Sequence, residues 1–190
     1  MLMLKENASR LRAEDAALLV VDIQKRLLPH IANQEAVAAA AVRMIRGASV
    51  LKVPILVTEQ YPKGIGPTVP AIQEAFEPGT FRAIEKMTFS CCATDEIVSA
   101  LAQIGRSRII VVGIESHVCV MQTVLDLLAL GYAPFVCADA VGSRHDIDRE
   151  MAIERMRHAG AVITTTESAL FELLHRAGTP EFIKVLKIVK

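Results

Sequence analysis

Residues 108–119 read RIIVVGIESHVC, and this stretch decides the fold. Its first part, from Arg108 to Gly113, is an apolar run without polar alternation, which is typical of a strand that helices cover on both faces. A cysteine, Cys119, follows across a short connection at the start of a predicted helix, Val118 to Leu130. A buried strand that leads through a short turn into a helix predicts one unit of a parallel α/β sheet.

The same alternation continues in both directions from this stretch. Strands are predicted at Ala17 to Val21, Pro54 to Thr58, Phe81 to Glu85, Arg108 to Gly113, Ala133 to Ala138 and Ala161 to Thr165. Helices are predicted between them, at Ala36 to Leu51, Thr94 to Ile104, Val118 to Leu130, Ile147 to Ala159 and Ser168 to Leu174. We therefore expect a three-layer αβα fold with an open, six-stranded, mainly parallel sheet of Rossmann-like topology.

Residues 59–78 interrupt this pattern. The segment contains many breakers of helices and strands: Pro62, Gly64, Gly66, Pro67, Pro70 and Pro78. We expect a long ordered loop. Because it follows the carboxyl end of a strand, where open parallel sheets bind their ligands, the loop is predicted to form a pocket wall rather than a linker.

The length, composition and net charge of the chain limit the class of protein to which it can belong. The 190 residues predict a single domain over 1–190, with its core at about 17–166 and a C-terminal helical tail at about 179–190. Hydrophobic residues make up 52% of the chain, which is typical of a globular protein. A formal net charge of +0, with no Trp, 2 Tyr and 6 Phe, argues against a nucleic-acid partner, which would require a basic surface.

Cysteine spacing and the N-terminal residues bear on the compartment. The cysteines, at positions 91, 92, 119 and 137, show neither zinc-ligand spacing nor a disulfide framework. Charged residues precede any long apolar run, so neither a secretory signal nor a membrane partner is expected. We predict a cytoplasmic protein. The alternative is a location in an organelle, because basic residues near the start of the chain are typical of a presequence, although Glu6, Glu14 and Asp15 argue against one.

Three polar residues stand at or just beyond the carboxyl ends of predicted strands. Asp22 closes ALLVVD, Lys86 closes FRAIEK, and Cys119 follows RIIVVG. Because the ends of parallel strands meet at one edge of a sheet, we expect the three side chains to lie together.

This combination predicts nucleophilic chemistry at Cys119. A helix start and a nearby lysine favour a thiolate, and Asp22 can take up a proton and later pass it to a leaving group. Each residue also has a structural interpretation, as a buried small cysteine, a turn-capping aspartate or a solvated lysine. The residue types alone leave both interpretations open.

Three motifs in this order, VVDIQ, EKMTFS and GIESHVCVMQT, resemble those of the isochorismatase-like cysteine hydrolases, which include nicotinamidases and carbamoyl-amide hydrolases. The resemblance extends from about Ala17 to Thr166, and TEQYPKGIGPTVPAI and FVCADAVGSR are similar to the isochorismatase domain-containing subgroup. It implies that Cys119 is the nucleophile, Asp22 the base and Lys86 the cation that holds both. It also implies a cis peptide between Ile114 and Glu115, with the backbone N–H groups of Glu115 and Cys119 as the oxyanion hole.

The chain departs from nicotinamidases in one motif. Those enzymes carry a metal-binding Asp-x-His and a further His after the second strand, where this chain reads TEQYPKGIGPTVP without a histidine. Neither a metal nor another cofactor is therefore expected. The resemblance implies a metal-independent hydrolase that cleaves a small amide-like molecule through a thioester. The alternative is a non-catalytic or weakly catalytic module for binding or assembly.

Residues next to the motifs are candidates for substrate binding: Gln24, Leu27, Tyr61, Phe89, Glu115 and His117. His117 precedes Cys119 by two residues, but side chains so close in a turn diverge, which argues against a Cys-His pair. The vicinal Cys91 and Cys92 suggest redox or metal chemistry, or simply two small residues that pack a helix start.

The C-terminal sequence TPEFIKVLKIVK predicts a contact between subunits. Only Lys184, Lys187 and Lys190 interrupt its apolar residues, so a helix would carry apolar surface on most of its circumference. We expect a homo-oligomer to which this tail contributes. The alternative is a tail that packs wholly on its own subunit.

Overall fold

A computed structural model describes residues 10–190, and it builds one parallel sheet. Its strands are β1 Ala16–Val21, β2 Ile55–Gln60, β3 Ile84–Lys86, β4 Arg108–Ile114, β5 Ala133–Gly142 and β6 Val162–Thr164. Their order is β3-β2-β1-β4-β5-β6, and all neighbours are parallel. The predicted class of sheet is confirmed. The first nine residues of the predicted domain 1–190 lie outside the described residues. The prediction about a signal or a presequence at the N-terminus therefore falls partly outside them as well.

Helices connect the strands. They are α1 Gln34–Val50, α2 Pro62–Ile65, α3 Pro70–Gln73, α4 Asp95–Ile104, α5 Met121–Ala129, α6 Asp146–Ala159, α7 Thr166–Leu174 and α8 Pro180–Val189. Short 3-10 turns stand at Leu28–His30 and Cys91–Ala93, and a turn of π-helix at Ser116–Val120 leads into α5.

The two faces of the sheet carry separate apolar cores. Along β1, Leu18 and Val20 belong to a core with residues of α1, α7 and α8, whereas Leu19 and Val21 belong to a core with residues of α4, α5 and α6. This division follows from the two-residue period of a strand, which sends successive side chains to opposite faces. The three-layer αβα prediction is confirmed.

The tail helix α8 packs against α1 and α7 of its own chain. Val185 is fully buried, and the ring of Phe182 meets that of Phe171 edge to face at 6.4 Å between centroids. Ile183 stays 55% exposed. Packing within the chain therefore covers much of the apolar surface of α8. Ile183 is the large apolar residue of this helix that stays exposed.

Several predicted boundaries differ from the observed ones; β5, for example, continues to Gly142 rather than ending at Ala138. Two further predictions are wrong. Residues 59–78 hold the single-turn helices α2 and α3, each of which begins with a proline; a proline at the first helical position lacks only an N–H that would have no partner there. The third strand is Ile84–Lys86 rather than Phe81 to Glu85, because it pairs only with the last three residues of β2, Thr58 to Gln60.

The sheet order places a crevice beside β1. The chain passes from β1 to β2 on one side and returns to β4 on the other, which creates a topological switch point between β1 and β4. The two strands approach closely there. At Gly113, with φ +127°, an added Cβ would lie 2.0 Å from the carbonyl oxygen of Val21.

Gly113→Ala should therefore destabilise the fold. We expect it to lower the free energy of unfolding by about 3 kcal/mol or more, since the backbone strain alone costs ~1–3 kcal/mol and the methyl group also pushes β1 and β4 apart. Urea denaturation followed by circular dichroism measures this change.

Gly131→Ala is the matched control. Its φ of +85° is also positive, but an added Cβ there meets no atom within 4 Å, so a loss of about 1 kcal/mol is expected from backbone strain alone. Equal losses in the two variants would contradict the proposed clash.

Candidate active site

A buried ion pair joins the ends of β1 and β3. Lys86 Nζ lies 2.7 Å from Asp22 Oδ2, and both side chains are fully buried. Because β2 lies between these strands, and neighbouring strands are roughly 5 Å apart, the long lysine side chain crosses the width of one strand to reach the carboxylate. The edge of the sheet thus brings together two of the three residues selected from the sequence.

Two polar residues at the end of β2 complete this pair. Thr58 Oγ1 donates to Asp22 Oδ1 at 2.8 Å, and Gln60 Oε1 accepts from Lys86 Nζ at 2.8 Å. The ammonium also donates to the carbonyl oxygens of Thr88 at 3.1 Å and Phe89 at 3.0 Å. A buried pair of charges is tolerated only when other polar groups replace the lost water, and this network does so for the ammonium and for Asp22 Oδ1, while Asp22 Oδ2 has the ion pair with Lys86 and accepts no hydrogen bond from the described residues.

Cys119 lies beside the pair. It stands in the π-helical turn Ser116–Val120 directly after β4 and is only 4% exposed. The charges of both Asp22 and Lys86 act on its thiol. The crevice at the switch point therefore holds a sulfur nucleophile, a carboxylate and an ammonium together.

The electrostatics at Cys119 differ from the sequence prediction. Burial raises the pKa of its thiol to about 12, and the charge of Asp22 raises it as well, whereas Lys86 acts to lower it. The expected thiolate at a helix start is wrong for the resting site, because desolvation and the carboxylate outweigh the lysine. Cys119 is therefore a thiol at neutral pH and requires a base.

Lys86 stays charged in spite of its burial. Burial alone would lower the pKa of its ammonium, but the negative charge of Asp22 acts in the opposite direction, as the thiolate forms of Cys91 and Cys119 would, and the pKa is raised. The site thus keeps a permanent cation next to the carboxylate.

The turn before Cys119 begins with the cis peptide bond Ile114–Glu115, where the resemblance implied one. The N–H groups of Val118 and Val120 both donate to Glu115 O, at 3.1 and 3.2 Å. The Glu115 side chain is buried and its Oε2 lies 3.2 Å from Arg144 Nε. These bonds fix the backbone on both sides of the Cys119 N–H, which the resemblance assigns to the oxyanion hole together with that of Glu115.

Two of the predicted substrate-binding residues are exposed next to Lys86. Tyr61 is 45% exposed and donates its N–H to Lys86 O at 2.9 Å, and Phe89 is 55% exposed. Met87, which the sequence analysis did not select, is 70% exposed and also lines an open cavity of about 340 Å³ that adjoins Lys86.

The other predicted substrate-binding residues make contacts within the chain. Gln24 is fully buried and donates its two amide protons to Gln60 O and Gly66 O, so none is left for a substrate. Leu27 packs against a small apolar cluster that includes Ile114. His117 Nδ1 lies 3.0 Å from Ser143 Oγ, so the imidazole is paired with a serine.

Three functional contacts were missed in the sequence. Thr58 and Gln60 are polar residues at the carboxyl end of β2, and the same signal that selected Asp22 and Lys86 would have found them. Cys91 is fully buried with its Sγ 3.8 Å from Thr58 Oγ1. Nothing in the sequence placed its thiol beside the ion pair, since this depends on the path of the chain after β3.

Residues 10–190 contain no group of three or more His, Cys, Asp or Glu side chains arranged to hold a metal ion. Glu59, a carboxylate near the end of β2, accepts hydrogen bonds from the backbone N–H and the hydroxyl of Thr68, at 2.6 and 2.7 Å. Among the helices of the same described range, none is long and apolar enough to cross a membrane.

Comparison with known proteins places these features in a family. The isochorismatase domain model matches residues 16–168. Isochorismatase family protein 1B of Dictyostelium discoideum is 41% identical over 180 residues, which cover 93% of this chain and 87% of that protein. The structure of MAR1 ribonuclease from Caenorhabditis elegans has a TM-score of 0.89 at 37% identity and covers 95% of this chain and 92% of its own. The YcaC gene product of Escherichia coli, an octameric hydrolase of unknown specificity, has a TM-score of 0.88 at 25% identity, with 97% and 92% covered.

Asp22→Asn should lower the pKa of Cys119. The substitution removes a negative charge that raises this pKa, while the positive charge of Lys86 remains. The pH dependence of Cys119 alkylation by iodoacetamide, followed by mass spectrometry of its peptide, is expected to shift to lower pH. Lys86→Met is the control of opposite sign and should slow alkylation. A profile that Asp22→Asn leaves unchanged would show that the carboxylate does not act on the thiol.

Proposed function

Because the chain belongs to the isochorismatase domain family of hydrolases, we propose that it is a metal-independent cysteine hydrolase that cleaves the C–N bond of a small amide-like molecule. The proposal rests chiefly on the buried Lys86–Asp22 ion pair beside the Cys119 thiol. The assigned roles are nucleophile for Cys119, general base and acid for Asp22, and fixed cation for Lys86.

The first step is attack by Cys119. Asp22 takes the thiol proton as Sγ forms a bond to the substrate carbonyl carbon, so the thiolate exists only while a substrate is being attacked. This order suits a thiol whose pKa is raised to about 12. The oxygen of the tetrahedral intermediate takes up negative charge, and the backbone N–H groups of Glu115 and Cys119 donate to it.

The second step releases the amine or ammonia. Asp22 gives its proton to the leaving nitrogen as the C–N bond breaks, which leaves a thioester on Cys119. Water then attacks the thioester while Asp22 takes its proton, and the acid product departs from the regenerated thiol. Lys86 holds the carboxylate in position through both transfers, and Gln60 and Thr58 hold the pair.

The surroundings of the ion pair favour a small substrate. Cys119 is 4% exposed, and the exposed side chains next to Lys86 are the apolar or aromatic Tyr61, Met87 and Phe89 together with the charged Glu85. Such a site admits a compact carbonyl group and contacts the rest of the molecule through apolar surface. Substrate binding by Tyr61, Phe89, Glu115 and His117 is part of the proposal.

A non-catalytic module for binding or assembly is the rival function. It requires neither a base nor a nucleophile, yet both are present with their hydrogen-bond partners in place. RNA cleavage is suggested by the names of the MAR1 ribonuclease relatives, but the formal net charge of +0 gives the chain no overall attraction for a polyanion.

Cys119→Ala should abolish hydrolysis. We expect a panel of small amides, hydroxamates and carbamoyl compounds, scored for release of ammonia or amine, to identify an accepted substrate. On that substrate Cys119→Ala should fall to the background rate and Asp22→Asn should lose about 100-fold or more, since positioned proton transfer contributes 10²–10⁴-fold. Binding, measured by calorimetry, should survive in both variants.

Cys137→Ala is the matched control, because this cysteine is also buried but belongs to the core on the other face of the sheet. It should retain wild-type turnover. Full turnover by Cys119→Ala would exclude covalent catalysis, and loss of activity on chelation would exclude metal independence. Cleavage of single-stranded RNA but of no amide would favour the rival activity.

We also propose a homo-oligomer in the cytoplasm. The octameric YcaC relative and the exposed Ile183 of α8 support subunit contacts, and the four free cysteines suit a reducing compartment.

Removal of α8 tests the tail's part in assembly. A chain that ends at Thr179 loses the buried Val185 as well as the exposed Ile183, so the milder variant Ile183→Asp is measured beside it. We expect sedimentation velocity to give an oligomer for the full chain and smaller species for both variants. An unchanged mass in both variants would show that the tail does not contribute to the interface. A monomeric full chain would show that the proposed oligomer does not form.

A further inference from the structure

We propose that Cys91 is a resolving thiol, which forms a disulfide with Cys119 after a peroxide has oxidised Cys119, and so switches the hydrolase off reversibly. This proposal rests on the reactivity that the proposed function assigns to Cys119. It gives a chemical role to Cys91, which has none in the proposed hydrolysis.

Cys91 reaches the same ion pair that activates Cys119. Its Sγ lies 3.8 Å from Thr58 Oγ1, and that hydroxyl donates to Asp22 Oδ1 at 2.8 Å. Asp22 and Lys86 both act on the Cys91 thiol, and they act on the Cys119 thiol too. The two cysteines therefore share one carboxylate and one ammonium.

A second hydroxyl ties the two cysteine backbones together. The N–H of Cys91 donates to Thr123 Oγ1 at 2.9 Å, and the same Oγ1 donates to Cys119 O at 2.7 Å. Both cysteines lie in the core between the sheet and helices α4 to α6. The turn that starts at Cys91 is thereby anchored to the helix that follows Cys119, which holds the backbones of the two cysteines near each other.

The other two cysteines lie in positions that are less suitable for a disulfide with Cys119. Cys137 belongs to the core on the opposite face of the sheet. Cys92 is half-buried, and its Sγ lies 4.0 Å from Thr123 O, while no hydrogen bond of its thiol to Thr58 or Asp22 is found among the described residues. The geometry thus selects Cys91 among three possible partners of Cys119.

Oxidation uses the base already in the site. Cys119 Sγ attacks one oxygen of hydrogen peroxide while Asp22 takes the thiol proton; an S–O bond forms, the O–O bond breaks, and the departing hydroxide takes the proton and leaves as water. Cys119 becomes a sulfenic acid as the peroxide is reduced.

Resolution follows from the second thiol. Cys91 Sγ attacks Cys119 Sγ, an S–S bond forms as the S–O bond breaks, and the Cys91 proton leaves with the hydroxide as a second water. The nucleophile is then blocked but protected from irreversible oxidation. A dithiol reductant restores both thiols by exchange.

Peptide mapping of the full-length protein after treatment with hydrogen peroxide tests the proposal. We expect a peptide that links Cys91 to Cys119, which dithiothreitol removes while activity returns. In Cys91→Ala the sulfenic acid has no partner, so Cys119 should proceed to sulfinic acid, and recovery by dithiothreitol should fall to about a tenth or less of that in the wild type. Cys91→Ser replaces the alanine variant if the latter does not fold.

Cys92→Ala and Cys137→Ala are the matched controls, and both should keep the linked peptide and full recovery. A link from Cys119 to Cys92, or sulfinic acid at Cys119 of the wild type without any link to Cys91, would overturn the proposal. The mapping does not require a substrate, so its failure is separate from that of the hydrolase function, which is judged by amine release from Cys119→Ala.

Discussion

The ion pair between Lys86 and Asp22 is the constraint on which the site depends. Two charges removed from water are unfavourable unless every proton and lone pair is met, and here the partners come from β2 and from carbonyl groups after β3. The strand order therefore matters chemically. Because β2 lies between β1 and β3, Thr58 can donate to Asp22 while Gln60 accepts from Lys86, so β2 holds both members of the ion pair.

The same pair determines when the cysteine is reactive. Asp22 raises the pKa of Cys119 and, in the proposed mechanism, also removes its proton, whereas Lys86 acts to lower the pKa of Cys119 and is paired with the Asp22 carboxylate. A thiol kept protonated at rest reacts slowly with chance electrophiles, and in the proposed mechanism it is activated when a small molecule that fits beside the ion pair accepts the sulfur as the proton moves to Asp22. Selectivity is thus built into the electrostatics as well as into the shape of the site.

The sequence predicted the sheet, its two covered faces and the three residues at its edge, because apolar runs and isolated polar strand ends are local signals. It did not predict the state of the thiol, since burial of Cys119 depends on packing between distant elements. Nor did it predict that Gln24 donates its amide protons to the carbonyl oxygens of Gln60 and Gly66, because these hydrogen bonds form only once residues 59–78 have folded back over the end of β1.

Lys86 lies on β3, a short edge strand of the sheet, and this position has a dynamic consequence. β3 has three residues and pairs on one side only, with β2, so it is held by fewer backbone bonds than β1 or β4. Edge strands of this kind detach at a lower free energy than the whole domain unfolds. Separation of β3 alone would withdraw the ammonium and leave the carboxylate uncompensated. Loss of the ion pair at the candidate site and unfolding of the domain are therefore separable events, and warming or mild denaturant would cause the first before the second.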